Sequence, residues 1–441
     1  MAKKNAGVQV DSDSAYLFSD SGSCDFKMEY KFRLNKLVFI CALFVVISMV
    51  YFGFFFSDKV CALSNFKSPS CSEVSLRTPT PEHVVKLLSL LSDPFNSKLP
   101  NPGLSYDEII HENFQFDMNA HDVMVFLHIQ KTGGTSFGRH LVQDLDLQRP
   151  CTCQKKRKRC YCFRPNRNEN WLFSRYSIGW KCGLHADWTE LSSCVDAELI
   201  KNEGDSVKRR YFYISLLREP ISRYLSEFRH VQRGATWKNS RHWCGGVVWS
   251  DVTFDSFTSC PYNLANNRQT RMMADLALVG CYNTSSYSKE DRDQILLASA
   301  KKNLANMAFF ALTEYQKIGQ YVFEETFNLR FAVTFSQHNS TLSNAVLATL
   351  TKDQIEKIRR LNSLDIELYE FAKSLMFSRF NKLQMRDPQF EERWNHLGEL
   401  PNKTEFNWDD AIDDETTKTT TDTNPRETAL PFFKVVTFKH P

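Results

Sequence analysis

Nine consecutive residues, His128, Ile129, Gln130, Lys131, Thr132, Gly133, Gly134, Thr135 and Ser136, carry the side chains needed to hold a phosphate. The paired glycines let an anion approach the backbone, the lysine brings a point charge, and the hydroxyls add hydrogen bonds. The segment lies between an apolar run and residues at helical spacing, where N–H groups at a helix start cradle anions. It lacks the leading glycine and the Gly-Lys order of the G-x4-G-K-[ST] loop, so a phosphorylated nucleotide other than ATP is expected. The alternative is an ordinary strand-to-helix turn with a surface lysine. A second grip agrees with the first. Arg218 ends another apolar run, Pro220 suits the first turn of the helix that follows, and Ser222 and Ser226 stand one turn apart on it. Arg218 and Ser226 together suit a second, separate phosphate.

Proton transfer needs a titratable group, and the chain has 11 histidines. His128, His140, His185 and His230 compete for that role, and each also reads as a packed or solvated imidazole. Asp187, two residues after His185, is expected to orient its ring. Residues 155–159 are all basic, flanked by Cys151, Cys153, Cys160 and Cys162. A four-thiolate zinc knuckle is one reading of those cysteines. Their one-residue spacing is tighter than zinc motifs use, so disulfides are favoured.

The elements that must carry these groups are legible as apolar runs at 122–128, 211–217 and 307–313, each followed by an amphipathic stretch. Strands alternating with helices indicate an α/β fold with a central parallel sheet flanked by helices. Thr351 and Gln354 form a capping box opening a helical region to about residue 384. Upstream, residues 37–56 are 20 residues without a charge, the length of a membrane-crossing helix. Lys27, Lys31, Arg33 and Lys36 crowd its N-terminal flank, which keeps that side cytoplasmic and places the rest on the lumenal or extracellular side. An oxidising lumen fits the cysteines, and Asn283, Asn339 and Asn402 open glycosylation sequons. The expected plan is a cytoplasmic tail over 1–36, a signal-anchor over 37–56, a Pro-rich stem over 57–120, a catalytic domain over 121–385, and an acidic, Thr-rich flexible tail over 386–441.

With these elements laid out, the chain resembles a known family. The loop at 130–136, the spacing of Arg218 and Ser226, and the lumenal topology look like the Golgi sulfotransferases, which use 3′-phosphoadenylyl sulfate (PAPS). Five blocks, at 126–143, 162–177, 182–191, 224–238 and 260–272, resemble heparan sulfate 6-O-sulfotransferase in the family's order. The likeness covers roughly residues 121–385. It implies a P-loop-like sulfotransferase fold behind a single transmembrane helix, in the Golgi membrane. It also implies transfer of sulfate from PAPS to the 6-hydroxyl of glucosamine in heparan sulfate, with no metal and no nucleic-acid partner. By family position, residues 128–136 hold the phosphosulfate end with Lys131 as the catalytic cation. Arg218 and Ser226 hold the 3′-phosphate, and Ser336, Gln337, His338, Leu342 and Ser343 add nucleotide contacts. Where the family often has a basic residue, this chain has Leu342, so only backbone binding carries over there. His185 is implied as the base, and Lys158, Arg159, Arg175, Trp180, His230 and Trp237 as substrate contacts.

A polyanionic acceptor is at first sight at odds with a formal net charge of only +4. The balance conceals segregation: from Cys151 to Arg175 eight bases face one acid, whereas residues 386–427 hold twelve acids and five bases. A basic acceptor loop and an acidic tail cancel in the total, and the tail is expected to shield that loop from the wrong anions.

Overall fold

The computed structural model describes residues 80–94, 101–110, 115–154, 159–183, 185–204, 207–234, 249, 251–336 and 342–399. In chain order the first elements are α1 (Pro81–Leu91), α2 (Tyr106–Ile109), β1 (Asp122–Leu127), α3 (Gly134–Gln143), β2 (Thr152–Cys153), β3 (Cys160–Tyr161) and β4 (Leu172–Phe173). Then come α4 (Trp188–Glu203), β5 (Arg210–Leu217), α5 (Pro220–Gln232), α6 (Phe254–Ser259), α7 (Arg268–Met273) and α8 (Lys289–Ala305). The last are β6 (Phe309–Leu312), α9 (Gln316–Phe327), α10 (Leu342–Leu347), α11 (Lys352–Leu361), α12 (Ser363–Arg386) and α13 (Phe390–Asn395).

Four strands form a sheet in the order β4-β1-β5-β6, and each neighbouring pair is parallel. The three expected apolar runs are its three longer strands. All six residues of β1 are buried, as expected of a strand covered by helices on both faces. Its register against β5 pairs Phe126 with Ile214 and Leu127 with Ser215, so β5 runs two residues past the end of β1. The core below is unusually aromatic: Phe137, Phe309, Phe323 and Phe327 meet largely edge-to-face, with centroids 4.9–6.3 Å apart. These contacts account for part of a composition with 35 Phe.

The capping box at Thr351 and Gln354 is present and opens α11. The expected single helical region is two helices, divided at Asn362. The Asn362 side chain donates to the Ile358 carbonyl and accepts the Asn267 N–H, tying the break to the start of α7.

The folded body is wider than 121–385 on both sides. In the expected stem, α1 buries Val84, Leu87 and Leu91, and Leu104 donates to the Tyr211 carbonyl at 2.8 Å beside β5. Past residue 385, Phe390 and Trp394 of α13 pack on Tyr321 and Phe380, and Arg393 pairs with Glu325 at 2.8 Å. Proline and acidic composition masked these short amphipathic helices. Residues 37–56 lie outside the described residues. Among the described ones no helix is long and apolar enough to cross a membrane.

Candidate active site

The strand ends set the site. After β1 the backbone takes left-handed conformations at Lys131 (φ 66°) and Gly133 (φ 78°), a wrap that delivers the N-terminus of α3. Gly133 caps that helix without any side-chain hydrogen bond, so the leading N–H groups face outward for an anion. Gly134 is required by packing: a Cβ there would stand 2.4 Å from Cδ2 of His128. Thr132 is fully buried, and its hydroxyl donates to the Ile129 carbonyl at 3.0 Å. Ile129 is itself fully buried, so it serves the loop through its backbone. Thr313, just past β6, donates to the Thr132 carbonyl at 2.7 Å and fastens the loop to the neighbouring strand end.

Arg218 joins the loop after β1 to the start of α10. Its guanidinium donates to the Lys131 carbonyl at 3.3 Å and to Oγ of Ser343 at 3.0 Å. Its backbone is held as a pair: Gln269 accepts the Arg218 N–H at 2.8 Å and donates to the Arg218 carbonyl at 2.9 Å. Ser226 and Ser222 are both half-exposed on α5. Leu342 opens α10, Ser343 is buried, and Ser336 is exposed. Gln337 and His338 lie outside the described residues.

His185 takes a left-handed backbone (φ 55°) in a loop tied to α4 by the Cys182–Cys194 disulfide. Its Nδ1 lies 3.4 Å from the His128 carbonyl, and the two rings meet at 5.0 Å. A carbonyl only accepts, so Nδ1 carries the hydrogen and Nε2 is left as the basic nitrogen. Burial first, then the Arg268 charge, pushes its pKa down to about 3. His128 is held well below the usual histidine range by burial and by His185, Arg175 and Lys131. Both imidazoles are therefore neutral at pH 7.

Trp180 is 38% exposed, so it is no core residue; it tilts over His185 at 5.0 Å and stacks near His128. Arg175 bridges the phosphate-loop segment and Trp180. Its guanidinium sits 5.0 Å from the Trp180 ring and reaches Oγ1 of Thr135 at 3.3 Å. Phe126, Phe173, Gly183 and Ala186 complete the walls of this cleft. His140 is committed elsewhere, to Asp144 at 2.6 Å and to a stack on Phe335. His230 is half-buried in the last turn of α5.

One expected role is corrected. Asp187 does not orient His185; its carboxylate caps α4, accepting from the Glu190 N–H at 2.9 Å and the Tyr282 hydroxyl at 3.4 Å. The disulfide reading of the clustered cysteines holds, as nested Cys151–Cys162 and Cys153–Cys160 bonds. Arg159 is exposed beside them, while Lys158 and Trp237 lie outside the described residues. Asn283 is exposed; Asn339 and Asn402 are outside the described residues. Sequence reasoning missed Gln269 and Thr313, although Gln269 stands in one of the blocks that carried the resemblance.

A bound donor is tested by what the loop leaves open. Nδ1 of His128 and Oε1 of Gln130 are buried without a hydrogen-bond partner, beside an uncapped helix start. Residues 128–136 with Arg218 and Ser343 therefore fit a phosphorylated nucleotide.

Comparison with known proteins gives the same direction. The model of the sulfotransferase family matches residues 114–372. Heparan-sulfate 6-O-sulfotransferase 1-B of Danio rerio is 54% identical over 293 residues, covering 63% of this chain and 72% of that protein. Heparan-sulfate 6-O-sulfotransferase 1 of Homo sapiens is 54% identical over 287 residues, covering 62% and 69%. Heparan-sulfate 6-O-sulfotransferase 1-A of Danio rerio is 48% identical over 352 residues, covering 75% and 81%.

Proposed function

The chain belongs to the sulfotransferase family, and we propose that it transfers a sulfuryl group from PAPS to the 6-hydroxyl of glucosamine in heparan sulfate. The observation that carries this reading is the junction of two sites at one residue. The His128 carbonyl holds the neutral imidazole of His185 at the point where the phosphate loop begins.

PAPS, when bound, supplies an activated sulfuryl group on a phosphate leaving group. The loop N–H groups and Lys131 hold the phosphosulfate end, and Arg218, with Ser226 and Ser343, the 3′-phosphate. Residues 336–338 and the Leu342 backbone complete the nucleotide contacts. Trp180 offers an apolar face to the acceptor sugar, and Arg175 and Arg159 offer guanidinium groups to sulfates and carboxylates along the chain that carries it. Lys158, His230 and Trp237 extend the acceptor contacts. Nε2 of His185 takes the hydroxyl proton as the oxygen attacks sulfur in line with the departing phosphate. Lys131 and the helix start then stabilise the charge growing on that phosphate, where a fixed cation is most effective.

The catalytic body is lumenal, in a Golgi membrane protein of single-pass type II topology anchored by residues 37–56, with residues 1–36 cytoplasmic. Disulfides at Cys151, Cys153 and Cys182 and the exposed sequon at Asn283 support that compartment.

The deciding assay incubates the protein with PAPS and N-sulfated heparosan and maps the product disaccharides. New 6-O-sulfoglucosamine is expected, and sulfate at another position only, or none, overturns the reading. In the same assay His185→Ala should lose ~10²–10⁴-fold in transfer, the span of general-base catalysis, while keeping its affinity for PAP.

A further inference from the structure

The two nested disulfides join β2 and β3, and their outer face sets Arg159, an acceptor contact in the reading above, beside an aromatic ring that has no role there. Thr152 pairs with Tyr161 across β2 and β3, and both are exposed while Cys160 and Cys162 turn inward. Tyr161 keeps 39% of its surface open, a large aromatic ring held in water by a covalently fixed strand. It carries a cation on that surface: the Arg159 guanidinium lies 5.9 Å from the ring, and the Phe163 ring stacks beside it at 5.7 Å. Gln154 donates to the Tyr161 hydroxyl at 3.4 Å and pins its outer edge.

This ridge is continuous with the active-site cleft. The Cys160 N–H donates to the Tyr176 carbonyl at 2.6 Å. The next residue back, Arg175, stacks on both Tyr176 and Trp180. A flexible segment would lose conformational freedom on gripping a polymer; strands joined by two disulfides have little left to lose. A guanidinium resting on an aromatic face keeps its N–H edge free for a sulfate or carboxylate.

We propose that the Tyr161 ridge is a distal subsite for the acceptor polysaccharide. It binds anionic sugar units beyond the glucosamine being sulfated and favours long chains over short ones. Tyr161 acts by fixing Arg159 and by presenting its own edge to the chain. The inference rests on the heparan sulfate reading of the cleft.

The test measures transfer from PAPS to size-defined N-sulfated acceptors, a hexasaccharide and an octadecasaccharide, with wild type, Tyr161→Ala and Tyr161→Phe. In Tyr161→Ala the KM for the octadecasaccharide should rise about fivefold or more, with the hexasaccharide KM, kcat and PAPS KM unchanged. Tyr161→Phe, which keeps the ring under Arg159, should restore most of the long-chain KM. Equal losses on both acceptors, or no change on the long one, overturns the subsite. Wild type inactive on both acceptors sinks the heparan sulfate reading instead, so the two failures are distinct.

Discussion

His185 poses a quantitative problem whose solution is testable. Burial and the Arg268 and Arg175 charges lower its pKa to about 3, with Glu227 and the His128 carbonyl working in the opposite direction. A base that weak is a poor proton acceptor, since the best catalytic pKa lies near the working pH. Seating the donor should correct it. The loop begins at His128, whose ring is 5.0 Å from His185. An anion about 7 Å from the imidazole, at an effective dielectric near 20, contributes ~2.4 kcal/mol per charge, or ~1.7 pH units. One phosphate charge therefore lifts the pKa from about 3 to roughly 5, and a second lifts it further. The ring stays neutral at pH 7 but becomes a far better base. Two measurements check this. The imidazole titration, followed by NMR and assigned through His185→Gln, should move up by one to two pH units when PAP is added. The acid limb of kcat/KM for the acceptor, at saturating PAPS, should report the raised value. An acid limb that stays below pH 4, or an imidazole unmoved by PAP, refutes the electrostatic argument.

Further perturbations follow from the same geometry. Gln269→Leu removes both bonds to the Arg218 backbone, so the KM for PAPS should rise ~30-fold, two hydrogen bonds at about 1 kcal/mol each being lost. The acceptor KM should hold, and an equal rise in both KM values counts against a donor-specific role. Gly134→Ala puts a methyl against the His128 ring, at 2.4 Å from Cδ2. It should weaken PAP binding in calorimetry at least as much as Gln269→Leu does, and a wild-type affinity contradicts the packing argument. The apo protein should also lose stability in acid. His185 and His128 have folded pKa values below the unfolded 6.5, so the unfolded state binds the extra protons. Stability is full above about pH 6.5 and falls as pH drops toward the folded values. Urea midpoints should decline from pH 7 to pH 5, and His185→Gln should flatten part of that slope.

What the sequence made legible was local. The β1 run, the phosphate loop and the helix after it are one uninterrupted stretch, in which every residue needed for the reading lies within about twenty positions. The same holds for the Thr351–Gln354 capping box and for Pro220 opening α5. What failed was either too short or too distant. A two-residue strand such as β4 shows no period at all, and the amphipathic faces of α1 and α13 are hidden in Pro-rich and acidic surroundings. Asp187 was misread although its signal was present: Asp followed three positions later by Glu190, just before an apolar helix, is a capping signature, and it competes directly with the role of ring orienter. The deepest misses are long-range. His185 is positioned by a carbonyl 57 residues away and Arg218 by an amide 51 residues away, and no spacing rule connects such pairs. The resemblance points to His185 as the base and to Arg218 as a phosphate grip, but what holds them is a separate matter. His185 owes its tautomer to the backbone of the donor loop. Anything that disturbs that loop must therefore reach acceptor chemistry too, and donor binding and proton abstraction are coupled through the single residue His128.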